Sequence, residues 1–465
     1  MSRPVVVLLN PPARGPHMRD QYCSVLSKAG YWPPVDLVIQ SGFLARHLDC
    51  VVVDAVADRM SPDDCIGAVL AAGAQAVLAL TGSATLGADL RFLARLRTYK
   101  RLTVVACGGA LRFHAAEYLA EHPALDAILL DSVSPDLADW LAGLRQGPFY
   151  GLWLRDCPAE PATPSPSLSL PLPRHGLFRS RGYVAPFVRR YPFVTTLASA
   201  GCPHRCGFCV AARLPYQVRS PEEVIAELRA IRAQGFREVL FRDFTFGARR
   251  AWLQALCEQV IRADLGLGWT AAMRAEQVDE ATARLLARAG CHLLLLGLES
   301  ANGAILARHG KPTSAAVAER ACRAARDAGI AVAAHFILGL PGETAADVER
   351  TIAWAQGLGC TYAAINFAVP QVGTRLRETC LAEGWTDGAI NGMEPTTGRH
   401  LLGTPLLSAG ELTALGRRAL RAFYGSPRQW WRIARSVRSV RQGVVVGRHA
   451  ARTVWGMCRA DRDGV

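Results

Sequence analysis

Two blocks of short apolar runs constrain this fold more than any other feature. Each run is closed by small or polar residues and parted from the next by a helical period. In the first block the runs are Val5-Val6-Val7-Leu8-Leu9, closed by Asn10-Pro11-Pro12; Cys50 to Asp54; Ala76 to Leu80, closed by Thr81-Gly82-Ser83; Thr103 to Cys107, closed by Gly108-Gly109; and Ala127 to Leu130, closed by Asp131-Ser132. Helical periods lie between them, as at Asp63 to Ala72 and Gly87 to Arg97. Continuous apolar runs of strand length predict strands buried on both faces, the condition of a parallel sheet covered by helices. Residues 1–150 are therefore predicted to form a doubly wound α/β domain, which takes its ligand at the carboxyl ends of its strands.

Residues 151–185 break the pattern. Pro158-Ala159-Glu160-Pro161-Ala162-Thr163-Pro164-Ser165-Pro166 reads as a stiff, extended linker. Apolar runs resume at Val194 to Leu197, Glu238 to Phe241, Trp269 to Ala272, His292 to Leu296, Ala331 to Ile337 and Tyr362 to Phe367. Helical periods such as Pro221 to Gln234 and Ala315 to Ala328 separate them. These repeats predict a partial (β/α)6 barrel over 186–385, with its chemistry at the carboxyl ends of the strands. The remainder, 386–465, is predicted to be mostly helical. Ser408 to Phe423 has a helical period. Arg428, Arg432, Arg435, Arg438 and Arg441 recur every three or four residues, which places them on one face of a basic helix, with Trp430, Trp431, Ile433, Val437 and Val440 between them. Such a helix packs its apolar face on the barrel or lies on an anionic membrane surface.

At 465 residues the chain is too long for one core, and with 50% hydrophobic and 20% charged residues it is globular rather than disordered. Its formal net charge of +14 favours an acidic partner, whether nucleic acid, anionic lipid or an acidic substrate, although Arg-rich usage alone also produces it. Met1-Ser2-Arg3-Pro4 before a strand-sized run is not the pattern of a signal peptide, and no run reaches the ~18–20 apolar residues of a membrane span, so a cytoplasmic location is expected. Most of the 14 cysteines sit singly in apolar runs, such as Cys107, Cys257, Cys291 and Cys322. They are expected to be buried free thiols.

The exception is Gly201-Cys202-Pro203-His204-Arg205-Cys206-Gly207-Phe208-Cys209, a CxxxCxxC motif after the first strand of the second block. Thiolates are soft ligands that suit iron–sulfur clusters or zinc. Zinc usually takes a second pair of ligands; His204 lies inside the loop, and no second CxxC occurs. Three thiolates can instead hold three irons of a cubane and leave the fourth open.

With Phe208 just before the last cysteine, the motif resembles that of the radical S-adenosylmethionine superfamily, and the likeness runs from 194 to about 375. The resemblance implies a [4Fe-4S] cluster on Cys202, Cys206 and Cys209, with S-adenosylmethionine at the open iron. It places Phe208 near the adenine. It gives Asp243, in Phe241-Arg242-Asp243-Phe244, to the methionine ammonium, although the glycine-glycine-glutamate version of that motif is absent. It gives Arg274 to the methionine carboxylate, Glu299 of Gly297-Leu298-Glu299-Ser300 to the ribose, and the backbone of Gly339, in Phe336-Ile337-Leu338-Gly339-Leu340-Pro341-Gly342-Glu343, to the adenine. Pro370-Gln371-Val372-Gly373-Thr374 resembles the turn that closes the core. Taken singly, Asp243, Arg274 and Glu299 also read as structural residues.

A flavodoxin- or Rossmann-like domain before such a core resembles the cobalamin-binding class of the superfamily. That implies cobalamin beside Thr81, Ser83, Gly108 and Gly109, where glycine admits close backbone approach. The cobalt-ligating DxHxxG motif has no counterpart: Asp54-Ala55-Val56-Ala57-Asp58-Arg59 carries Val56 at the His place. A domain that kept the fold and lost the cofactor is the alternative. The implied activity is reductive cleavage of S-adenosylmethionine to a 5′-deoxyadenosyl radical, followed by methylation of an unactivated carbon. Cyclisation or rearrangement without cobalamin is the alternative, and an electron donor such as flavodoxin or ferredoxin is the implied partner. The basic, tryptophan-bearing C-terminus points to a hydrophobic substrate such as an isoprenoid lipid or tetrapyrrole, and to peripheral membrane contact. Methylthiolation of tRNA would require a second cysteine triad, and Cys23, Cys50 and Cys65 lack its spacing. A metal-binding regulator on nucleic acid is the non-enzymatic alternative; it would have no need of a radical core.

Overall fold

The computed structural model describes residues 3–13, 17–20, 23–26, 30–161, 164–388 and 402–459. Parts of the predicted linker (162–163) and C-terminal region (389–401 and 460–465) lie outside them. The chain forms two compact units, the first holding Met1–Val184 and the second Leu197–Ala389 with the C-terminal helices.

The first unit is a six-stranded sheet in the order Asp49–Asp54, Val5–Asn10, Ala76–Leu80, Thr103–Cys107, Ala127–Leu129 and Leu152–Leu154. The first five strands are parallel, and the last is an antiparallel edge. Val7, Leu9, Val77, Val104 and Ile128 anchor the core against helices such as Leu86–Tyr99. The described linker residues after 164 form little regular structure, yet they are pinned rather than free. Leu168, Leu170, Phe178 and Tyr183 are buried. Arg174 N donates to Ser41 Oγ at 2.9 Å, and a Cβ on Gly42 would stand 2.8 Å from Pro171 O, so the strap lies flat against helix Val35–Leu44.

The second sheet runs Tyr362–Phe367, Ala331–Leu338, Cys291–Glu299, Gly268–Arg274, Glu238–Phe241, Val194–Thr196. The five strands from Tyr362–Phe367 to Glu238–Phe241 pair in parallel. Helices fill the crossovers. Pro221–Ala233 starts where Ser220 Oγ accepts from Glu223 N at 3.2 Å and the Glu223 carboxylate reaches back to Ser220 N at 3.1 Å, so two orphan N–H groups are satisfied reciprocally.

The predicted basic helix is two helices, Pro427–Ser436 and Val440–Arg459, parted at Val437, whose ψ of 130° is extended. Gln429 Nε2 anchors the first by donating to Cys360 O and Thr361 O at 3.2 and 2.7 Å. Ser439 Oγ starts the second by accepting from Gln442 N at 3.2 Å. These polar anchors outcompete continuous helix, so the five arginines do not share one face.

Candidate active site

Gly201 opens the cysteine loop with a φ of 66°, and a Cβ there would stand 2.1 Å from Pro215 O; only glycine fits. The loop is then clamped from behind. Gly207 N donates to His309 O at 2.7 Å, Gly207 O accepts from Leu376 N at 2.9 Å, and Arg205 O accepts from Arg375 Nη2 at 2.6 Å. Cys206 is buried, while Cys202 and Cys209 are partly exposed. Burial pushes the Cys202 thiol up, and the His204 backbone, Arg274 and Lys311 pull it down. Among the described residues no three His, Cys, Asp or Glu side chains group as a single metal ion requires. Cysteines that each bind a separate iron of a cubane need no such convergence, and three thiols on one pre-formed loop are the donor set it takes. The residues present therefore fit a cluster.

Sheet register brings Arg274, Gly297, His335 and Ala364 into one row across four strands. Partly exposed positions alternate with buried ones along these strands: Ala272 and Arg274, Leu295 and Gly297, His335 and Ile337. That alternation marks the open inner face of the barrel. Arg274 stands at the cluster loop, its Nη1 3.5 Å from Cys206 Sγ, and pairs with Glu276 at 3.0 Å. Glu299 ends its strand with a φ of 62°, a left-handed conformation that is unusual for a side chain of this size. Its Oε1 accepts from Lys311 Nζ at 2.7 Å, and the same ammonium donates to Gly297 O at 2.8 Å. Gly339 has a φ of 82°, and Glu343 accepts from the N–H groups of Gly339 and Leu340 at 2.9 and 3.1 Å and from Ser300 Oγ at 2.7 Å, which ties two strand ends together. Phe208 packs with Ile305, Leu306, Leu340 and Leu376.

Asp243 stands differently. Its carboxylate accepts from Ala198 N at 3.1 Å and Ser199 Oγ at 2.6 Å, and also from Ser199 N, and burial pushes it up to about 6. The carboxylate holds the strand end that leads into the cysteine loop. Sequence reasoning missed Lys311, which is 5% exposed, and His335, whose burial lowers its pKa against the opposing pull of Glu299. A lone lysine in the turn His309-Gly310-Lys311-Pro312 was the available signal for the first.

In the first unit, Thr81 Oγ1 donates to Cys107 O at 3.0 Å, and a Cβ on Gly108 would stand 2.3 Å from Thr81 Oγ1. Thr81 is buried, whereas Ser83, Gly108 and Gly109 are partly exposed at the carboxyl ends of the sheet. Asp54 is spent internally, accepting from Asn10 Nδ2 at 2.8 Å, Ala57 N at 2.9 Å and Tyr183 Oη at 2.9 Å. Val56, at the place of a cobalt-ligating His, is buried.

Residues 197–355 match the family model of the radical SAM superfamily. An uncharacterized methyltransferase of Pyrococcus horikoshii is 26% identical over 413 residues, covering 85% of this chain and 88% of that protein. An anaerobic magnesium-protoporphyrin IX monomethyl ester cyclase of Rubrivivax gelatinosus is 26% identical over 354 residues, covering 70% of this chain and 62% of the relative. Among solved structures, the radical S-adenosylmethionine methyltransferase TsrM from Kitasatospora setae, with cobalamin and a [4Fe-4S] cluster bound, superposes with a TM-score of 0.63 at 19% identity, over 82% of this chain and 75% of that one. The cobalamin-dependent radical enzyme OxsB, with aqua-cobalamin and S-adenosylmethionine bound, superposes with a TM-score of 0.67 at 14% identity, over 93% and 70%. Residues 197–355 thus match a radical SAM domain, and the chain has the fold of the solved enzymes TsrM and OxsB.

Proposed function

We propose that this chain is a cobalamin-dependent radical SAM enzyme that methylates an unactivated carbon of a small molecule. The observation that carries the reading is the clamped cysteine loop beside Arg274, with the Glu299–Lys311 pair at the neighbouring strand end. When bound, the cluster and S-adenosylmethionine supply a hydrogen-abstracting radical, and cobalamin supplies a methyl group. Cys202, Cys206 and Cys209 hold the cluster. Arg274 offsets thiolate charge at Cys206 and presents a guanidinium to the methionine carboxylate. Glu299, oriented by Lys311, accepts from ribose hydroxyls. Phe208 and the turn at Gly339 flank the adenine and exclude water from it. Asp243 positions the cysteine loop. Thr81, Ser83, Gly108 and Gly109 would border the cobalamin, and the apolar Val56 offers no donor atom.

Three matched relatives act on tetrapyrroles by name, the cyclase above, its counterpart in Cereibacter sphaeroides and a bacteriochlorophyllide d methyltransferase of Chlorobaculum tepidum. They support a hydrophobic, tetrapyrrole-like substrate. No helix among the described residues is long and apolar enough to cross a membrane. Trp431 is 65% exposed and supports peripheral membrane contact. The test is anaerobic reconstitution with iron, sulfide and hydroxocobalamin, followed by absorption spectra and a 5′-deoxyadenosine assay. Retained cobalamin and 5′-deoxyadenosine are expected, and Cys206→Ala should abolish the second and spare the first. A protein that makes 5′-deoxyadenosine without retaining cobalamin is the cyclase or rearrangement enzyme instead. One that makes none sinks the reading.

A further inference from the structure

We propose that the outer side of the cysteine loop, around Arg205, Arg308 and Arg375, is the docking surface of an acidic one-electron carrier protein. The inference rests on the radical SAM reading, because it names the partner that reduces the cluster. The sulfur of Cys206 meets Arg274 on the inner face of the barrel, the side that substrate and S-adenosylmethionine would cover. The next residue, Gly207, presents its backbone to a separate cavity of about 470 Å³, lined also by Arg308, His309, Arg375, Trp385 and Leu406. Here the neighbour of buried Cys206 lines an open cavity, so an electron arriving on this face reaches the cysteine loop directly.

The chemistry of this face selects its partner. The cavity lining holds two guanidinium groups and no carboxylate. Arg205, Arg308 and Arg375 are all exposed, and Arg375 ties the basic face to the loop through its bond to Arg205 O. On helix Arg375–Ala382 the exposed Glu378 is neutralised by Arg213. Trp385 is partly exposed and Leu406 is 55% exposed, and they supply an apolar centre within the positive rim. A small basic patch with an apolar centre suits the transient encounters of electron carriers, which bury under about 1,200 Å². Complementary charge steers such encounters and raises their rate about 10- to 1,000-fold. One electron leaves the carrier, which is oxidised, and enters the cluster, which is reduced.

The experiment compares two reductants on the anaerobically reconstituted full chain: reduced flavodoxin, which is acidic, and titanium(III) citrate, which needs no docking surface. Formation of 5′-deoxyadenosine is measured for the wild type, Arg308→Glu and Arg205→Glu/Arg308→Glu. With flavodoxin the double variant should lose about tenfold or more, through a raised KM for flavodoxin, and wild-type activity should fall as salt rises. With titanium(III) citrate the wild type and Arg308→Glu should agree within about twofold. Arg308 lies outside the cysteine loop, so its single variant should reproduce the selective loss without touching the cluster. An unchanged flavodoxin rate, or equal losses with both reductants in Arg308→Glu, overturns the docking surface. Failure of the wild type with titanium(III) citrate would instead overturn the radical SAM reading itself.

Discussion

Replacing Lys311 with methionine isolates the energetics of the strand-end site. The Lys311 and Glu299 side chains are 6% and 10% exposed, and the ammonium satisfies both the Glu299 carboxylate and Gly297 O. Methionine keeps the length and the apolar stem of lysine, so packing changes little. What it removes is the counter-charge, and an uncompensated buried carboxylate destabilises by about 3–5 kcal/mol. The double variant Lys311→Met/Glu299→Gln carries no buried charge at all, and it should recover to within about 1–2 kcal/mol of the wild type, because replacing both partners of a buried pair is close to neutral. The assay is urea titration read by hydrogen exchange in strands Cys291–Glu299 and Ala331–Leu338, which isolates this unit from the unfolding of the other. A single-variant loss under about 1 kcal/mol, or a double variant no more stable than the single, refutes the reasoning. Either result would mean that water or a neighbouring group already compensates Glu299.

Other perturbations follow from the same geometry. Gly201→Ala forces a Cβ against Pro215 O at a positive φ, so the cysteine loop should misplace its thiols and iron incorporation after reconstitution should collapse, as read by the iron-to-protein ratio. Gly339→Ala, at a φ of 82° and 2.5 Å from Leu412 Cδ2, should cost about 1–3 kcal/mol by chemical denaturation, with the clash relieved in part by Leu412→Ala. Asp243 is raised to about 6 in the fold from an ordinary value of 3.8, so its protonated form is favoured by folding. Its contribution is fully present below about pH 4 and is lost as pH rises through about 6, an order-of-magnitude change of about 3 kcal/mol. Asp243→Asn should remove that slope from a stability–pH profile between pH 4 and 6, and an unchanged slope would show that another group titrates there.

The parallel strands were legible because burial on both faces writes itself as an unbroken apolar run: Ala76–Leu80, Thr103–Cys107, Glu238–Phe241 and Tyr362–Phe367 lie where the runs predict them. The cysteine loop was legible for a related reason, since its chemistry depends on spacing along one short segment. Where partners are distant in sequence, the local pattern fell silent. Helix Val35–Leu44 is buried at every residue, so it has no polar face to supply a helical period. The strap over 164–184 looks like a free linker because its prolines prescribe extension, while its anchors, Leu168, Phe178 and Tyr183, are scattered singly among them. Lys311 acquires its meaning only when a turn brings it under a strand end twelve residues earlier in the chain. The same principle explains the broken C-terminal helix. The arginine period is genuine, but Gln429 and Ser439 are bound to backbone carbonyls 60 or more residues away, Thr361 and Arg189. Two long-range polar anchors fix the separate helices in place, and the exposed arginines between them follow wherever that backbone leads.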